Sequence, residues 1–86
     1  MFEIGFSSHA KRFLKKADEQ LVKRIMEKIE KLGTEPFPTD VKRVVNRKEK
    51  IFRVRVGDYR IQYTVHYEES LVFISDIEKR PRAYQD

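Results

Sequence analysis

The chain of 86 residues contains no cysteine. That excludes a disulfide framework, a thiolate metal site and a cysteine nucleophile. No run of about 18 apolar residues could span a bilayer and nothing resembles a secretory signal, so a soluble, cytoplasmic protein with no membrane association is expected. Only three glycines occur, none of them in a phosphate-cradling loop, and no nucleophile elbow is present. His9 and His66 stand apart, and the carboxylates are scattered without metal-ligand spacing. No cofactor is expected. The length allows one small domain over residues 1–86 with one modest core.

What the chain does have is charge. Charged residues make up 38%, apolar residues 40% and aromatics 12%, with a net charge of +5. That apolar content is enough for a globular fold, and the positive excess points to an anionic partner, nucleic acid or an acidic protein. The excess is uneven. Seven of the nine arginines follow residue 41, and between Lys42 and Arg60 eight basic residues face only Glu49 and Asp58. A planar guanidinium can donate two parallel hydrogen bonds to one phosphate, which a solvated lysine face does not need.

Phe2, Ile4 and Phe6 alternate with Glu3 and Gly5, the period of a short N-terminal strand. Ser7 or Ser8 then caps a helical region over 8–32. Ala10, Phe13, Leu14, Ala17, Leu21, Ile25, Ile29 and Leu32 form its apolar stripe, and Gly33 reads as its C-terminal cap. One helix of that length would run roughly 37 Å, against a radius of gyration of about 12 Å for a domain this size. A break near Ala17-Asp18 is therefore preferred. Pro36 and Pro38 end the helical part, and alternation rich in Val, Ile, Phe and Tyr gives strands near 41–46, 51–56, 59–67 and 71–78. The expected fold class is α+β: an N-terminal strand and a helical hairpin packed on one face of a mainly antiparallel sheet.

Gly57-Asp58 suits a two-residue type II′ hairpin turn. Val56 then faces Tyr59, Arg55 faces Arg60, Val54 faces Ile61, Arg53 faces Gln62 and Phe52 faces Tyr63. Phe52, Val54, Val56, Tyr59, Ile61, Tyr63 and Val65 share a side for the helices to cover, and Arg53, Arg55 and Arg60 share the other. Like charges directly across a strand pair cost roughly 0.2 to 1 kcal/mol. An anion bound among the arginines would reverse that sign; otherwise they splay into water or pair with Glu49, Asp76 or Glu78. A three-residue loop Glu68-Glu69-Ser70 would put Leu71, Phe73 and Ile77 on the core side and Val72 and Ile74 on the arginine side. Arg80 has the parity of Arg53, so the tail can bring Arg80, Arg82 and Tyr84 towards the cluster.

The segment Phe52-Arg53-Val54-Arg55-Val56-Gly57-Asp58-Tyr59-Arg60-Ile61-Gln62-Tyr63 resembles the signature strand pair of RelE/ParE-type toxins. The order of elements and the tail Lys79-Arg80-Pro81-Arg82-Ala83-Tyr84 are similar to archaeal RelE along essentially the whole chain. The resemblance implies a RelE-like fold and a metal-independent endoribonuclease that cleaves mRNA on the ribosome by attack of the ribose 2′-hydroxyl. It also implies an acidic, partly helical RelB-like antitoxin in a toxin–antitoxin hetero-oligomer. On the matching positions the catalytic candidates are Arg53, Arg55, Arg60, Arg80 and Tyr84. Lys42, Arg43, Lys79 and Arg82 are the further RNA-binding candidates.

Positions 53 and 55 depart from relatives that carry lysine there. Arginine stays protonated near neutrality, so a general base must come from elsewhere: ribosomal RNA, Lys79 or Tyr84. His66 shares the arginine face, but six strand residues put it roughly 20 Å from Arg60, and His9 at a helix start reads as structural. Tyr59, Tyr63 and Tyr67 read as packing residues. Two other functions fit the same sequence: a ParE-like poison of DNA gyrase, which would not need the arginines, and a non-catalytic RNA- or ribosome-binding protein.

Overall fold

The computed structural model of the protein describes residues 1–44 and 48–80. A strand β1 (Glu3–Phe6) leads into helices α1 (Ser8–Lys16) and α2 (Glu19–Thr34). Four strands follow: β2 (Lys42–Arg43), β3 (Phe52–Val56), β4 (Tyr59–His66) and β5 (Leu71–Lys79). The sheet order is β1-β5-β4-β3-β2, parallel between β1 and β5 and antiparallel elsewhere. The expected α+β class and the single-faced helical layer match this arrangement.

Local chemistry explains the helix boundaries. Ala10 N donates to Ser7 Oγ at 3.1 Å and Leu21 N to Asp18 Oδ2 at 3.3 Å, so each helix has a side-chain N-cap. Ala17 and Asp18 adopt extended backbone between the two helices, where the break was expected. Gly33 is not the cap. It lies inside α2, which runs on to Thr34. Phe2 N donates to Gly33 O at 2.8 Å, and a Cβ on Gly33 would stand 3.1 Å from Phe2 O, so the glycine lets β1 approach the helix backbone.

Ala10, Ile25, Ile29 and Leu32 from the helices meet Val54, Ile61, Tyr63, Val72, Ile74 and Ile77 from the sheet in one core, each at most 1% exposed. Burying such an aliphatic side chain contributes about 1.5 to 3 kcal/mol, so this cluster dominates the stability of the domain. The buried Tyr63 hydroxyl donates to Pro36 O at 2.6 Å, which ties the loop after α2 to β4. Burial, with the charge of Asp40, pushes the Tyr63 hydroxyl above the usual tyrosine range.

Val72 and Ile74 belong to this core, contrary to the alternation read from the sequence. The β4–β5 connection is four residues, 67–70, with Ser70 at φ 50, because His66 pairs with Leu71. That extra residue inverts the phase of 71–74 and turns Leu71 and Phe73 to the arginine side. A bulge opposite Gln62/Tyr63 restores the phase, so Ile77 is buried as expected. Tyr67 sits in the connection and is 66% exposed, its ring edge-on to Phe2 and stacked near Phe37, so it is not a core residue. No helix among the described residues is long and apolar enough to cross a membrane.

Candidate nucleic-acid interface

The turn between β3 and β4 is the two-residue turn that the glycine implies. Gly57 has φ 58 and Asp58 has no positive φ, the combination of a type II′ turn. The register follows from it: Phe52 pairs with Tyr63, Arg53 with Gln62, Val54 with Ile61, Arg55 with Arg60 and Val56 with Tyr59. Each expected pair is present.

Rows across the sheet then alternate in face. Val54, Ile61 and Ile77 form a buried row against the helices. On either side of it, Arg55–Arg60–Glu78 and Lys42–Arg53–Gln62–Asp76 form rows on the opposite face. Arg53, Arg55 and Arg60 therefore share the surface away from the helices, and all three are half-buried. Of the arrangements the sequence leaves open, Arg60 takes the pairing with Glu78: its side chain is 12% exposed, with Nε and Nη2 each 2.9 Å from Glu78 Oε1. The carboxylate offsets the repulsion between Arg55 and Arg60 that the hairpin enforces.

Not every basic candidate joins this face. Lys42 pairs with Arg53 and extends its row towards the sheet edge, while Arg43 pairs with Phe52 and Lys79 with Tyr59, whose row partners point to the helix side. The strict period of two turns Arg43 and Lys79 away from the arginines. Arg80 follows β5, and its N donates to Asp58 O at 2.7 Å, which ties the end of β5 to the hairpin turn. Tyr84 and Arg82 lie outside the described residues. His66 is exposed and in 2.8 Å contact with Thr64 Oγ1, at the far end of β4 from Arg60.

One contact had no signal in the sequence. His9 Nε2 lies 2.7 Å from Asp76 Oδ1, across 67 residues of chain. It arises because β1 ends at Phe6 beside Ile74, and Ser7 then bonds β5 twice: its N donates to Ile74 O at 2.9 Å and its Oγ to Ser75 O at 2.8 Å. These bonds hold the start of α1 against the edge of β5. Burial and the neighbouring Glu78 charge push the Asp76 carboxyl above its usual range, opposed by His9 and Arg60. A groove of about 440 Å³ opens on the other side of His9. Phe13, Leu21 and Tyr59 give it an apolar lining, and Arg12 and Lys16 add positive charge.

Comparison with known proteins agrees with this architecture. Residues 4–84 match the family described as the ParE toxin of the type II toxin–antitoxin system parDE. A Methanocaldococcus jannaschii protein assigned as toxin RelE1 is 32% identical over 88 residues, covering 99% of this chain and 97% of that protein. Among solved structures, RelE of the Pyrococcus horikoshii RelE–RelB complex superposes with a TM-score of 0.80 at 24% identity, covering 94% of this chain and 97% of that one. The Mycobacterium tuberculosis toxin–antitoxin complex RelBE2 gives a chain with a TM-score of 0.76 at 26% identity, covering 92% and 98%. With the family model matched over residues 4–84 and a relative 32% identical over nearly the whole of both chains, the chain belongs to the RelE/ParE superfamily of toxins of type II toxin–antitoxin systems.

Proposed function

We propose that this toxin is a ribosome-dependent endoribonuclease that cuts mRNA in the decoding site and is held in check by a RelB-like antitoxin. The observation that carries the reading is the hairpin register, which sets Arg55 directly across from Arg60 and keeps Arg53 on the same face. A fold gains nothing from opposed arginines; a phosphodiester does. As the 2′-oxygen attacks the adjacent phosphorus, negative charge grows on the phosphorane, and fixed guanidinium groups bind that species more tightly than the diester ground state. The products are a cyclic phosphate and a free 5′-hydroxyl. Lys42, beside Arg53, extends the cationic surface along the bound strand.

The antitoxin expected here is acidic and partly helical, as a partner for a chain of net charge +5. Relatives crystallised as RelE–RelB complexes support a partner of that class. Val72 and Ile74 are buried and offer it nothing. Its acidic residues would meet the arginine face, or Arg12 and Lys16 beside the apolar groove.

Primer extension on mRNA from induced cells tests the reading. Codon-phased ends that vanish in Arg60→Ala are expected; full toxicity of that variant, or messages without new ends, refutes it. The matched family is described as the ParE toxin of the parDE system, and a ParE-like poison of DNA gyrase stands as the second reading. Inhibition of supercoiling by the purified chain, unaffected by Arg55→Ala, would support that alternative. A non-catalytic ribosome-binding protein would bind RNA with a steep salt dependence and leave it intact.

A further inference from the structure

Arginine provides charge without a proton acceptor near neutrality. A reaction that begins by removing a proton from a 2′-hydroxyl therefore needs another group beside Arg53, Arg55 and Arg60. Lys79, which sequence reasoning offered, pairs with Tyr59 and points to the helix side. Its neighbour Glu78 pairs with Arg60 on the arginine face.

The geometry of that pair is asymmetric. The two contacts that Arg60 makes with Glu78, from Nε and Nη2, fall on the same carboxylate oxygen, Oε1, at 2.9 Å. The arginine side chain is 12% exposed and the glutamate 38%, so the carboxylate is the more open member. A purely neutralising pair would gain from a two-oxygen fork, which satisfies both partners at once. Here the guanidinium grips the carboxylate by one edge, in the row that also holds Arg55.

We propose, resting on the nuclease reading above, that Glu78 is the general base of the reaction and that Arg60 both orients it and carries phosphate charge. The step balances as follows. The carboxylate takes the 2′-hydroxyl proton as the 2′-oxygen–phosphorus bond forms; the phosphorus–5′-oxygen bond breaks with its electron pair, and the leaving 5′-oxygen takes a proton from water. Glu78 then returns its proton to solvent.

Charged groups from three strands and a helix surround Glu78. Arg60 from β4 and Arg55 from β3 lie in its row. Asp76 lies two residues before it on the same strand face, with His9 from α1 against Asp76 Oδ1, and Arg80 follows two residues later.

Single-turnover cleavage of mRNA on programmed ribosomes tests the proposal, with wild type, Glu78→Gln, Glu78→Asp and Arg60→Ala compared from about pH 5 to 9. Glutamine still accepts hydrogen bonds from Arg60 but takes no proton. The expected result is a Glu78→Gln rate lower by about 10² to 10⁴-fold, with unchanged half-saturation, a chain still folded at the assay temperature and no residual rise of rate on the acid side. Glu78→Asp should recover part of the loss. Wild-type rates in Glu78→Gln would overturn the proposal and reduce Glu78 to a tether for Arg60. So would a loss matched by weaker ribosome binding. A wild-type chain that cleaves nothing, by contrast, overturns the nuclease reading itself and the base with it.

Discussion

Gly57→Ala tests whether the hairpin turn underlies the site. Gly57 has φ 58, a region that an L-residue enters at a cost of about 1 to 3 kcal/mol. A Cβ there would also stand 2.7 Å from Arg24 Nη2, reaching over from α2, and 3.7 Å from its Cζ. The second conflict is cheap, because the guanidinium is the far end of a flexible chain and can swing away. The backbone should thus account for nearly all of the loss, lowering the thermal midpoint by about 4 to 8 °C per kcal/mol in a domain of this size. Calorimetry of Gly57→Ala, Arg24→Ala and the double variant separates the two causes. If the backbone is responsible, the double variant is at least as unstable as Gly57→Ala. Recovery of more than about half the loss on removing Arg24, or a Gly57→Ala chain as stable as wild type, would refute the turn assignment and with it the pairing of Arg55 with Arg60.

Tyr63→Phe should cost about 0.5 to 1.5 kcal/mol, the worth of the bond to Pro36 O, as read by chemical denaturation. Because burial raises the folded-state tyrosine above its unfolded value, its stabilisation is complete below about pH 10 and is lost as pH rises through the folded value. The wild type should therefore weaken in alkali more steeply than the phenylalanine variant. Asp76 carries the same sign at acid pH. Its raised carboxyl favours folding below the ordinary aspartate range and less so as pH rises through the folded value, so Asp76→Asn should have a flatter stability profile between acid and neutral pH. Asp40 is the converse, its carboxyl lowered by the bond from Lys28 Nζ at 2.9 Å. That stabilisation is present above the ordinary aspartate range and lost as pH falls through the lower folded value. As an exposed pair it should change stability by no more than about 1 kcal/mol in Asp40→Asn. Ile61→Ala, at the centre of the core, should cost about 2 to 5 kcal/mol by urea titration.

The parts of the fold legible in the sequence are those governed by neighbours along the chain. The β3–β4 register follows from Gly57 and unbroken alternation on both sides, and the break at Ala17-Asp18 from the size limit of a small domain. β5 was not legible in the same way. Its phase depends on a left-handed Ser70 and on an extra residue near Ser75, neither of which alters the alternation of apolar types enough to be seen. The pairing of β1 with β5 joins residues about as far apart as the chain allows, and periodicity is silent about partners. The site divides along the same line. The shared face of Arg53, Arg55 and Arg60 is local information, whereas the grip of Arg60 on Glu78 depends on where β5 lies, and the contact of His9 with Asp76 on where β1 ends.

The parallel pairing of β1 with β5 also governs when the molecule can exist. β5 is the second strand in sheet order yet the last to be synthesised, and both β1 and β4 lean on it. Until β5 takes its place β1 has no strand to pair with, and the sheet closes through a pairing between the two ends of the described chain, the kind of non-local contact that forms slowly. Folding copies thus pass through an unassembled interval in which a neutralising protein already present could reach them first.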